Sequence, residues 1–399
     1  MTHILYISYD GMLEPLGQSQ VLAYLKRLAN GRRIHLISFE KADDWANVAE
    51  RVRLARDIAS AGIAWHPLRY HKTPSVLATA FDIMQGIIVG VWLCVRYKIK
   101  IIHARSYIPS VIALTLKKLF NVKYIFDMRG FWADERIDGG LWPKGGRIYR
   151  VAKWFEKRFL LSADSVVSLT NAAVDEMKKF DYLQGRLPNF KVITTCTDLN
   201  LFDFKKTNIN NSSKESFVLG YVGSVGVWYL FDETLNCFKL ILEKVPSAQL
   251  HIINRGGHQY IRERLIDKRI NPNKVMIETS DHAGVAKAMQ SMDVGIFFIK
   301  PVYSKMSSAP TKLGEFLGCG IPCLSNTKVG DMAVILNDEK VGVALDSFDE
   351  TSMKLGIEEL MTLLNDPEIR ERCRSTALKY FSLDIGVRSY NHIYNRLIS

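Results

Sequence analysis

The sequence alternates short β-branched segments with amphipathic segments from end to end, and this alternation restarts once. Strands that alternate with helices form parallel sheets covered by helices on both faces. The restart follows residues 205–216, KKTNINNSSKES, which contain one apolar residue in twelve and are typical of a linker. The sequence therefore predicts an α/β fold with two Rossmann-like, doubly wound domains. The predicted bounds are 1–204 for the first domain, 205–216 for the linker, 217–380 for the second domain, and 381–399 for a C-terminal helix that packs back on the first domain.

Twelve segments carry the strand pattern. In the first half they are HILYIS, IHLISF, KIIHA, KYIFD, SVVSLT and KVITT, and in the second FVLGYV, QLHII, KVMIE, DVGIFF, IPCLS and VGVAL. A helix is predicted from about Gln18 to Asn30. A length of 399 residues suits two domains, because single hydrophobic cores rarely exceed about 300 residues. Ligands of open α/β sheets bind beyond the carboxyl ends of the strands, so we expect a cleft between two such edges.

The positive charge is confined to the first half of the chain. Residues 1–209 hold 31 Lys and Arg against 19 Asp and Glu, whereas residues 210–399 hold 22 of each. This excess is either an ordinary solvated surface or a field that attracts an anionic acceptor, a membrane surface or nucleic acid. The segment 144–160 predicts a basic amphipathic helix, which suits a membrane surface or packing on the sheet. Its expected apolar face comprises Ile148, Val151, Ala152, Phe155 and Phe159.

Other segments bear on compartment and membrane. Six scattered cysteines form no zinc or disulfide pattern, which favours a reducing compartment. The N-terminal residues lack the basic and apolar regions of a signal peptide. The apolar segment 75–97 is interrupted by Asp82 and Gln85, so it predicts a buried helix rather than a membrane span. We expect a cytoplasmic protein that can lie peripherally on the inner face of the cell membrane.

Glycine-bearing loops follow the first strand of each predicted domain. Gly17 lies in the first loop, and Gly223 and Ser224 lie in the second. Glycine allows a ligand to approach backbone N–H groups at a helix start, although a tight β–α turn explains it equally well. Arg255 follows another strand beside two glycines and suits a phosphate clamp or an exposed turn.

Residues 305–325, KMSSAPTKLGEFLGCGIPCLS, form the most specific motif. Ser307 and Ser308 precede a predicted helix, and Lys305 and Lys312 flank its start. Hydroxyl groups, cations and a helix N-terminus together suit a diphosphate. Glu315 lies one helical turn after Lys312 and can accept hydrogen bonds from a vicinal diol such as that of ribose.

This motif resembles the donor-binding signature of glycosyltransferase family 4, whose members are retaining enzymes of GT-B fold. Glu315 with FLGCGIP matches the second half of the family pattern, whereas Ser307 stands where the family has a first glutamate. The chain resembles a bacterial branch of the family that reads Ser-Ser-x-Pro-Thr-Lys-x-Gly-Glu-Phe. Four further stretches resemble the same branch: EPLGQSQVLAYL, HARSYIPS, DMRGFWADERIDGGLW and GSVGVWY.

The resemblance implies a nucleoside-diphosphate sugar in the second domain and an acceptor in the first. Glu315 would bind ribose, and backbone N–H groups near Ser307 and Ser308 would bind sugar or phosphate. Family members carry Arg and Lys after the first strand of the second domain, but those places fall here near Ser224 and Trp228 or Tyr229. A replacement cation is expected. The candidates are Arg255, Lys305 and Lys312.

The acceptor side is predicted at the ends of the strands KIIHA and KYIFD. Asp127 stands where relatives have a histidine and, beside Arg129, would stay ionised and orient an acceptor hydroxyl. His103 is either catalytic or an interior histidine. The remaining acceptor candidates are Arg105, Trp132, Asp134 and Glu135.

The sequence thus predicts a retaining glycosyltransferase that needs no cofactor. It contains no Asp-x-Asp pair, so no metal site is expected. The expected partners are a nucleotide-sugar donor, a saccharide or lipid-linked acceptor and an anionic membrane surface, but not nucleic acid. Two alternatives remain open: a GT-B enzyme of another kind (sugar-nucleotide epimerase or phosphorylase), or a basic protein that binds nucleic acid or membranes.

Overall fold

The structure, a computed structural model, describes residues 1–203 and 217–398 and divides into two compact units. Unit 1 comprises Met1–Thr194 and Leu383–Ser399, and unit 2 comprises Thr195–Ser382. The first unit therefore ends at Thr194 rather than at the predicted residue 204. The predicted linker, 205–216, lies outside the described residues.

Unit 1 is built on a seven-stranded parallel sheet in the order β3-β2-β1-β4-β5-β6-β7. Its strands are β1 Thr2–Ser8, β2 Arg32–Glu40, β3 Ile63–Arg69, β4 Ile101–Arg105, β5 Lys123–Asp127, β6 Ser165–Ser168 and β7 Phe190–Val192. Its helices are α1 Pro15–Gly17, α2 Ala23–Leu28, α3 Ala42–Ala46, α4 Val48–Ser60, α5 Ser75–Tyr97, α6 Tyr107–Phe120, α7 Trp132–Asp138, α8 Arg147–Ser162, α9 Asn171–Lys178 and α17 Leu383–Ile398. A π-helical turn, Gln18–Leu22, joins α1 to α2.

Unit 2 is built on a six-stranded parallel sheet in the order β10-β9-β8-β11-β12-β13. Its strands are β8 Val218–Val222, β9 Gln249–Ile253, β10 Val275–Glu278, β11 Val294–Ile296, β12 Cys323–Asn326 and β13 Gly342–Leu345. Its helices are α10 Phe231–Lys244, α11 His258–Asp267, α12 His282–Met289, α13 Thr311–Gly318, α14 Met332–Asp338, α15 Glu350–Leu364 and α16 Ile369–Tyr380. Two hydrophobic cores lie on the two faces of this sheet. The prediction of two doubly wound domains is confirmed.

One strand, β3, was not predicted from the sequence. It contains Pro67, which cannot donate a hydrogen bond to a sheet ladder. The strand lies at the edge of the sheet and pairs with β2 alone, where a proline is tolerated.

Helix α5 has the predicted extent, but the prediction that it is buried is wrong. One face packs inward, with Asp82, Gly86 and Gly90 among its buried residues, while a row of large apolar side chains is exposed. Within the described residues, α5 is the one helix whose length and composition would allow it to cross a membrane.

Helix α8 is amphipathic as predicted, but its buried face differs. Ala152 and Phe159 are buried as expected, whereas Ile148 and Val151 are exposed. The carboxylate of Glu156 occupies the interior instead, where it forms an ion pair with Lys153 and accepts a hydrogen bond from the Tyr107 hydroxyl. The buried face of α8 thus contains a paired carboxylate that the apolar pattern did not predict.

Candidate functional site

Asn254 joins two loops at the carboxyl edge of the unit 2 sheet. Its side chain is buried directly after β9, donates to the Gly223 carbonyl (2.8 Å) and accepts from the Gly257 N–H (2.6 Å). Gly223 follows β8 with φ of 118°, and a Cβ atom there would lie 2.8 Å from the Lys312 Nζ. Glycine is therefore required at 223 both for its backbone conformation and for the approach of this lysine.

Lys312 is buried in an aromatic enclosure. Its Nζ lies 3.9 Å from the centroid of the Tyr229 ring and 5.3–5.4 Å from those of Phe297 and Tyr221. Within the described part of the chain, this atom has no hydrogen-bond acceptor. Burial lowers the pKa of Lys312 to about 7, although the nearby Glu315 carboxylate opposes the shift. The amine is therefore only partly protonated at neutral pH, and a bound anion would favour its charged form.

Lys305 reaches the same loop from the 3₁₀ turn Tyr303–Ser307. Its Nζ lies 3.7 Å from the centroid of the Trp228 ring, within the range of a cation–π interaction. Lys305 and Lys312 therefore rest on Trp228 and Tyr229, two aromatic residues that follow β8.

Glu315 lies on α13 with Lys312 and is paired with a histidine that the sequence analysis missed. The His282 Nε2 lies 3.4 Å from the Glu315 Oε1. The hydrogen bond to Glu315 raises the pKa of His282 despite its partial burial. The His282 ring also packs edge-on against Phe202. Its place at the start of α12, behind the N-cap Asp281, gave no signal in the sequence that linked it to Glu315.

Other predicted residues of unit 2 are placed differently. The Ser307 hydroxyl donates to the Ser304 carbonyl (2.7 Å), and the Ser308 N–H donates to the Lys305 carbonyl (3.1 Å). The turn that precedes α13 thus uses the Ser308 N–H, and the role of backbone N–H groups near Ser307 and Ser308 in ligand binding stays a prediction. Ser224 and Arg255 are both exposed.

In unit 1, His103 and Asp127 form an interior network below α17. The Tyr394 hydroxyl lies 2.7 Å from the His103 Nδ1, and the Tyr390 hydroxyl donates to Asp127 (3.0 Å). Both His103 and Asp127 are 1% exposed. Burial would raise the pKa of Asp127, but Arg129 and His103 hold it at about 2.

The sequence predicts that His103 and Asp127 face a ligand at the strand ends, whereas in the structure both side chains belong to this network. His103 lies in the middle of β4, and burial lowers its pKa. Asp127 ends β5, and its Oδ2 accepts from the Tyr390 hydroxyl and lies 3.5 Å from the His103 Nε2, whereas its Oδ1 has no hydrogen-bond partner among the described residues. Their visible role is to attach α17 to the sheet.

A partly exposed charged cluster does lie at the carboxyl ends of β1, β4 and β5. The Arg105 Nε donates to the Asp10 carboxylate (3.2 Å), and the Arg129 Nη1 lies 3.9 Å from the Asp127 Oδ1. Arg129 and Ser106 both have left-handed backbones, with φ of 58° and 72°. Such conformations are costly for residues with side chains and gather at functional sites.

The remaining predicted acceptor residues divide into two kinds. Trp132 is partly exposed and packs against Tyr107 and Trp142. Asp134 is buried, accepts from the Tyr149 hydroxyl (2.8 Å) and pairs with Lys153 (3.0 Å). Asp134 is thus held within the protein, whereas Glu135, on the same helix, is partly exposed.

Gly17 packs tightly against the loop that follows β1. A Cβ atom at Gly17 would lie 2.0 Å from the Gly11 carbonyl oxygen, so helix α1 closes directly on that loop. The loop is also held by the buried Glu40, whose carboxylate accepts from the N–H groups of Met12 and Leu13. The place of Gly17 in a donor site stays a prediction.

Two family comparisons match the two halves of the chain. The glycosyl transferase 4-like domain matches residues 20–186, and the glycosyl transferases group 1 domain matches residues 203–380. The chain belongs to the GT-B glycosyltransferases. No curated protein matches it.

Solved glycosyltransferase structures share the fold along the whole chain. A glycosyltransferase from Rickettsia africae has a TM-score of 0.75 at 14% identity and covers 100% of this chain and 99% of its own. Sucrose-phosphate synthase from Thermosynechococcus elongatus has a TM-score of 0.71 at 14% identity, with the same coverage. Anabaena HepE in complex with UDP-glucose has a TM-score of 0.66 at 14% identity and covers 99% and 100%.

Lys305 and Lys312 are two of the candidates that the sequence analysis named for the replacement cation. The sequence resemblance implied cations after β8, where this chain has Ser224, Trp228 and Tyr229. Lys305 and Lys312 come from a later part of the chain, and their amines lie over the rings of Trp228 and Tyr229, respectively. Among the described residues, no cluster of three or more His, Cys, Asp or Glu is placed to hold a metal ion.

Proposed function

We propose that this chain is a retaining, family 4 glycosyltransferase that moves a hexosyl or related group from a nucleoside-diphosphate sugar to a saccharide or lipid-linked acceptor. We place the reaction in cell-surface glycan biosynthesis, at the inner face of the cell membrane and without a metal or cofactor. The observation that carries the proposal is the Lys312 amine, which is buried without a hydrogen-bond acceptor beside Gly223 and one helical turn from Glu315.

Lys312 is suited to stabilise a leaving diphosphate. Negative charge develops on the phosphate as the bond to the sugar breaks, and a fixed cation in a water-poor site stabilises it strongly. The amine must hold its proton to do this. A bound diphosphate would raise its pKa from about 7, so binding itself charges the site. The N-terminus of α13 adds a smaller favourable field.

Glu315 is suited to bind the ribose of the donor. Its carboxylate is partly accessible and can accept hydrogen bonds from two neighbouring hydroxyl groups. His282 holds one carboxylate oxygen in the free protein and thereby fixes the orientation of the other. This arrangement places diol recognition and phosphate recognition on one short helix.

The proposed acceptor site is the cluster of Asp10, Arg105 and Arg129. Retention in this family is consistent with the donor phosphate accepting the proton of the acceptor hydroxyl, so a separate strong base is not required. The interior position of His103 and Asp127 fits such a reaction. Arg129 and Asp10, which are partly exposed, are better placed than those two residues to orient a polar acceptor.

The donor class can be tested by binding. Anabaena HepE was crystallised with UDP-glucose, which makes uridine nucleotides the first candidates. UDP, GDP, ADP and CMP would be compared by thermal shift, because a ligand of the native state raises the melting temperature. A rise with one nucleoside diphosphate supports the proposal, and no rise with any of them contradicts it.

The stereochemistry and the need for an acceptor require a second experiment. The donor identified by binding would be incubated with and without lipid-linked saccharides, and the anomeric protons of the product followed by NMR. Transfer with the anomeric configuration of the donor is the expected result. Inversion would contradict the family 4 mechanism, and rapid nucleotide release without acceptor would favour an epimerase.

A further inference from the structure

Helix α5 presents an unusual exposed apolar row. From Leu77 onward its members are spaced three or four residues apart and lie on one helix face, Val76 adjoins them at the helix start, and all seven are 51–70% exposed. This set, called the α5 row below, comprises Val76, Leu77, Phe81, Met84, Ile88, Trp92 and Val95. Large contiguous apolar patches on a surface indicate a protein or membrane contact.

The α5 row shares one side of the unit 1 sheet with helices α6 and α8. The crossovers from β3 to β4, β4 to β5 and β5 to β6 all run in the same direction across the sheet, and right-handed crossovers then place their helices on the same face. Helix α5 packs on α6, and α6 packs on α8. Gly86 and Gly90 bring α5 close to α6, since a Cβ atom there would lie 2.4 and 2.6 Å from the ends of Ile112 and Leu116.

The exposed charges of these three helices are all positive. Their sequences contain only two acidic residues, Asp82 and Glu156, and both are fully buried. Asp82 is held by the Tyr9 hydroxyl and by His71, and Glu156 pairs with Lys153. The exposed cations of the three helices are Arg96, Lys118, Arg147, Arg150, Lys157 and Arg158.

The exposed face of α8 combines these cations with apolar side chains. Ile148, Val151 and Trp154 are each about half exposed, and Arg158 stacks over the Trp154 ring at 5.1 Å. An amphipathic surface with cations and tryptophan suits the boundary between lipid headgroups and acyl chains. Helix α8 therefore adds a basic and aromatic surface on the same side of the sheet as the α5 row, with α6 between them.

We infer that the outer surfaces of α5 and α8 form one docking surface for an anionic lipid bilayer, in which the α5 row enters the interface and the α8 cations contact lipid headgroups. Charge complementarity selects this occupant, because a second copy would bring the same positive charges against one another. Helix α5 lies along the membrane rather than across it, since its other face is fixed to the sheet and to α6. The inference rests on the membrane location in the proposed function, which it assigns to particular helices, but not on the glycosyl transfer itself.

Flotation of the full-length chain with vesicles tests this surface. We expect binding to vesicles of phosphatidylglycerol and phosphatidylcholine at low salt, release at high salt, and little binding to phosphatidylcholine alone. Replacing three α8 cations, Arg147→Gln with Arg150→Gln and Lys157→Gln, should weaken binding on the order of 100-fold, at about fivefold for each charge. Lys153 is left intact because it is paired within the protein.

A second variant tests the apolar part. Leu77→Gln with Met84→Gln and Ile88→Gln should weaken vesicle binding about tenfold or more, since the side chains would no longer enter the interface. The matched control replaces three exposed apolar residues on unit 2 helices: Ile266→Gln, Val334→Gln and Leu355→Gln. The control should bind vesicles as the wild type does, and all variants should keep the wild-type circular dichroism spectrum.

Several results would overturn the inference. These are no binding of the wild type to anionic vesicles at low salt, or wild-type binding by either the α5 or the α8 variant. Light scattering provides a further test: if the wild type is a dimer and the α5 variant is a monomer, a second copy covers the α5 row instead. Nucleotide binding, measured in parallel, should be unchanged in both variants, so a failure of the proposed function is distinguished from a failure of the docking surface.

Discussion

The role of Lys312 could be predicted from the sequence only in part. Its spacing to Glu315 and its place near a helix start predicted a cation beside a diol-binding carboxylate. The sequence could not choose between Lys305, Lys312 and Arg255, because the choice depends on burial. The structure encloses Lys312 in aromatic rings and leaves Arg255 exposed, and His282 and Asn254 enter the site through tertiary contacts alone.

The burial of Lys312 predicts a gain in stability when its amine is removed. The folded pKa of about 7 lies below that of an unfolded lysine, so the unfolded state binds more protons between about pH 7 and 10 and is favoured there. Lys312→Met should therefore raise the free energy of unfolding near pH 7 by a few kcal/mol. In wild type, stability should rise with pH across that window, so the difference between the two proteins should shrink towards pH 10. Denaturant titration at several pH values measures this, and a less stable variant at pH 7 would contradict it.

The same lysine predicts the pH dependence of donor binding. Below about pH 7 the amine already carries its proton, whereas above that pH the site must take up a proton to bind the diphosphate. The Kd of the sugar-linked donor, whose phosphates do not titrate in this range, should rise up to tenfold per pH unit above 7. Calorimetry in buffers of different ionisation enthalpy would detect the proton uptake. A flat profile, or an unchanged slope in Lys312→Met, would show that another group binds the phosphate.

At the level of elements, the strand–helix alternation predicted the architecture well because parallel strands are buried on both faces and appear as apolar runs. The alternation did not predict β3, because this strand lies at the edge of the sheet and contains a proline that a central strand could not accommodate. It also failed for α5, because hydrophobicity alone does not distinguish a buried face from an apolar surface. The inward face of α8 could not be predicted either, since it depends on the paired carboxylate of Glu156.

The close contact between Gly17 and the loop after β1 predicts that one methyl group added at position 17 destabilises the fold. In Gly17→Ala the new Cβ atom would overlap the Gly11 carbonyl oxygen, which belongs to the backbone and cannot rotate away. We expect a loss of about 1–3 kcal/mol in the free energy of unfolding. Gly86→Ala is the matched control, because its Cβ atom meets the mobile end of the Ile112 side chain. Equal stability of the two variants in urea titrations would contradict the tight junction.

The attachment of α17 to the sheet predicts a structural role for Asp127. Asp127→Asn removes the charge that Arg129 and His103 face in the interior, which should destabilise unit 1 by about 3–5 kcal/mol. Amide hydrogens of α17 should then exchange faster, as they should to a lesser extent in Tyr390→Phe. If Asp127→Asn instead left exchange and melting unchanged while abolishing transfer, Asp127 would act on the acceptor after all.

At the scale of the molecule, the two units are specialised in ways that their charges reflect. Unit 1 contains the basic helices and the charged cluster at the strand ends, and unit 2 contains the buried lysine beside the carboxylate. The comparisons show a GT-B glycosyltransferase, and the side chains support a division into an acceptor unit and a donor unit. In the proposed function, Lys312 supplies the positive charge for the donor diphosphate.

The role of Lys312 can be measured by comparing the affinity for the best nucleoside diphosphate with that for its nucleoside, in wild type, Lys312→Met and Arg255→Ala. A charge-assisted contact contributes about 1.5–3 kcal/mol, so Lys312→Met should lose roughly 10- to 100-fold in diphosphate affinity and almost none in nucleoside affinity. Arg255→Ala, which changes an exposed side chain, should remain close to wild type. Wild-type diphosphate affinity in Lys312→Met, or an equal loss for diphosphate and nucleoside, would contradict the account.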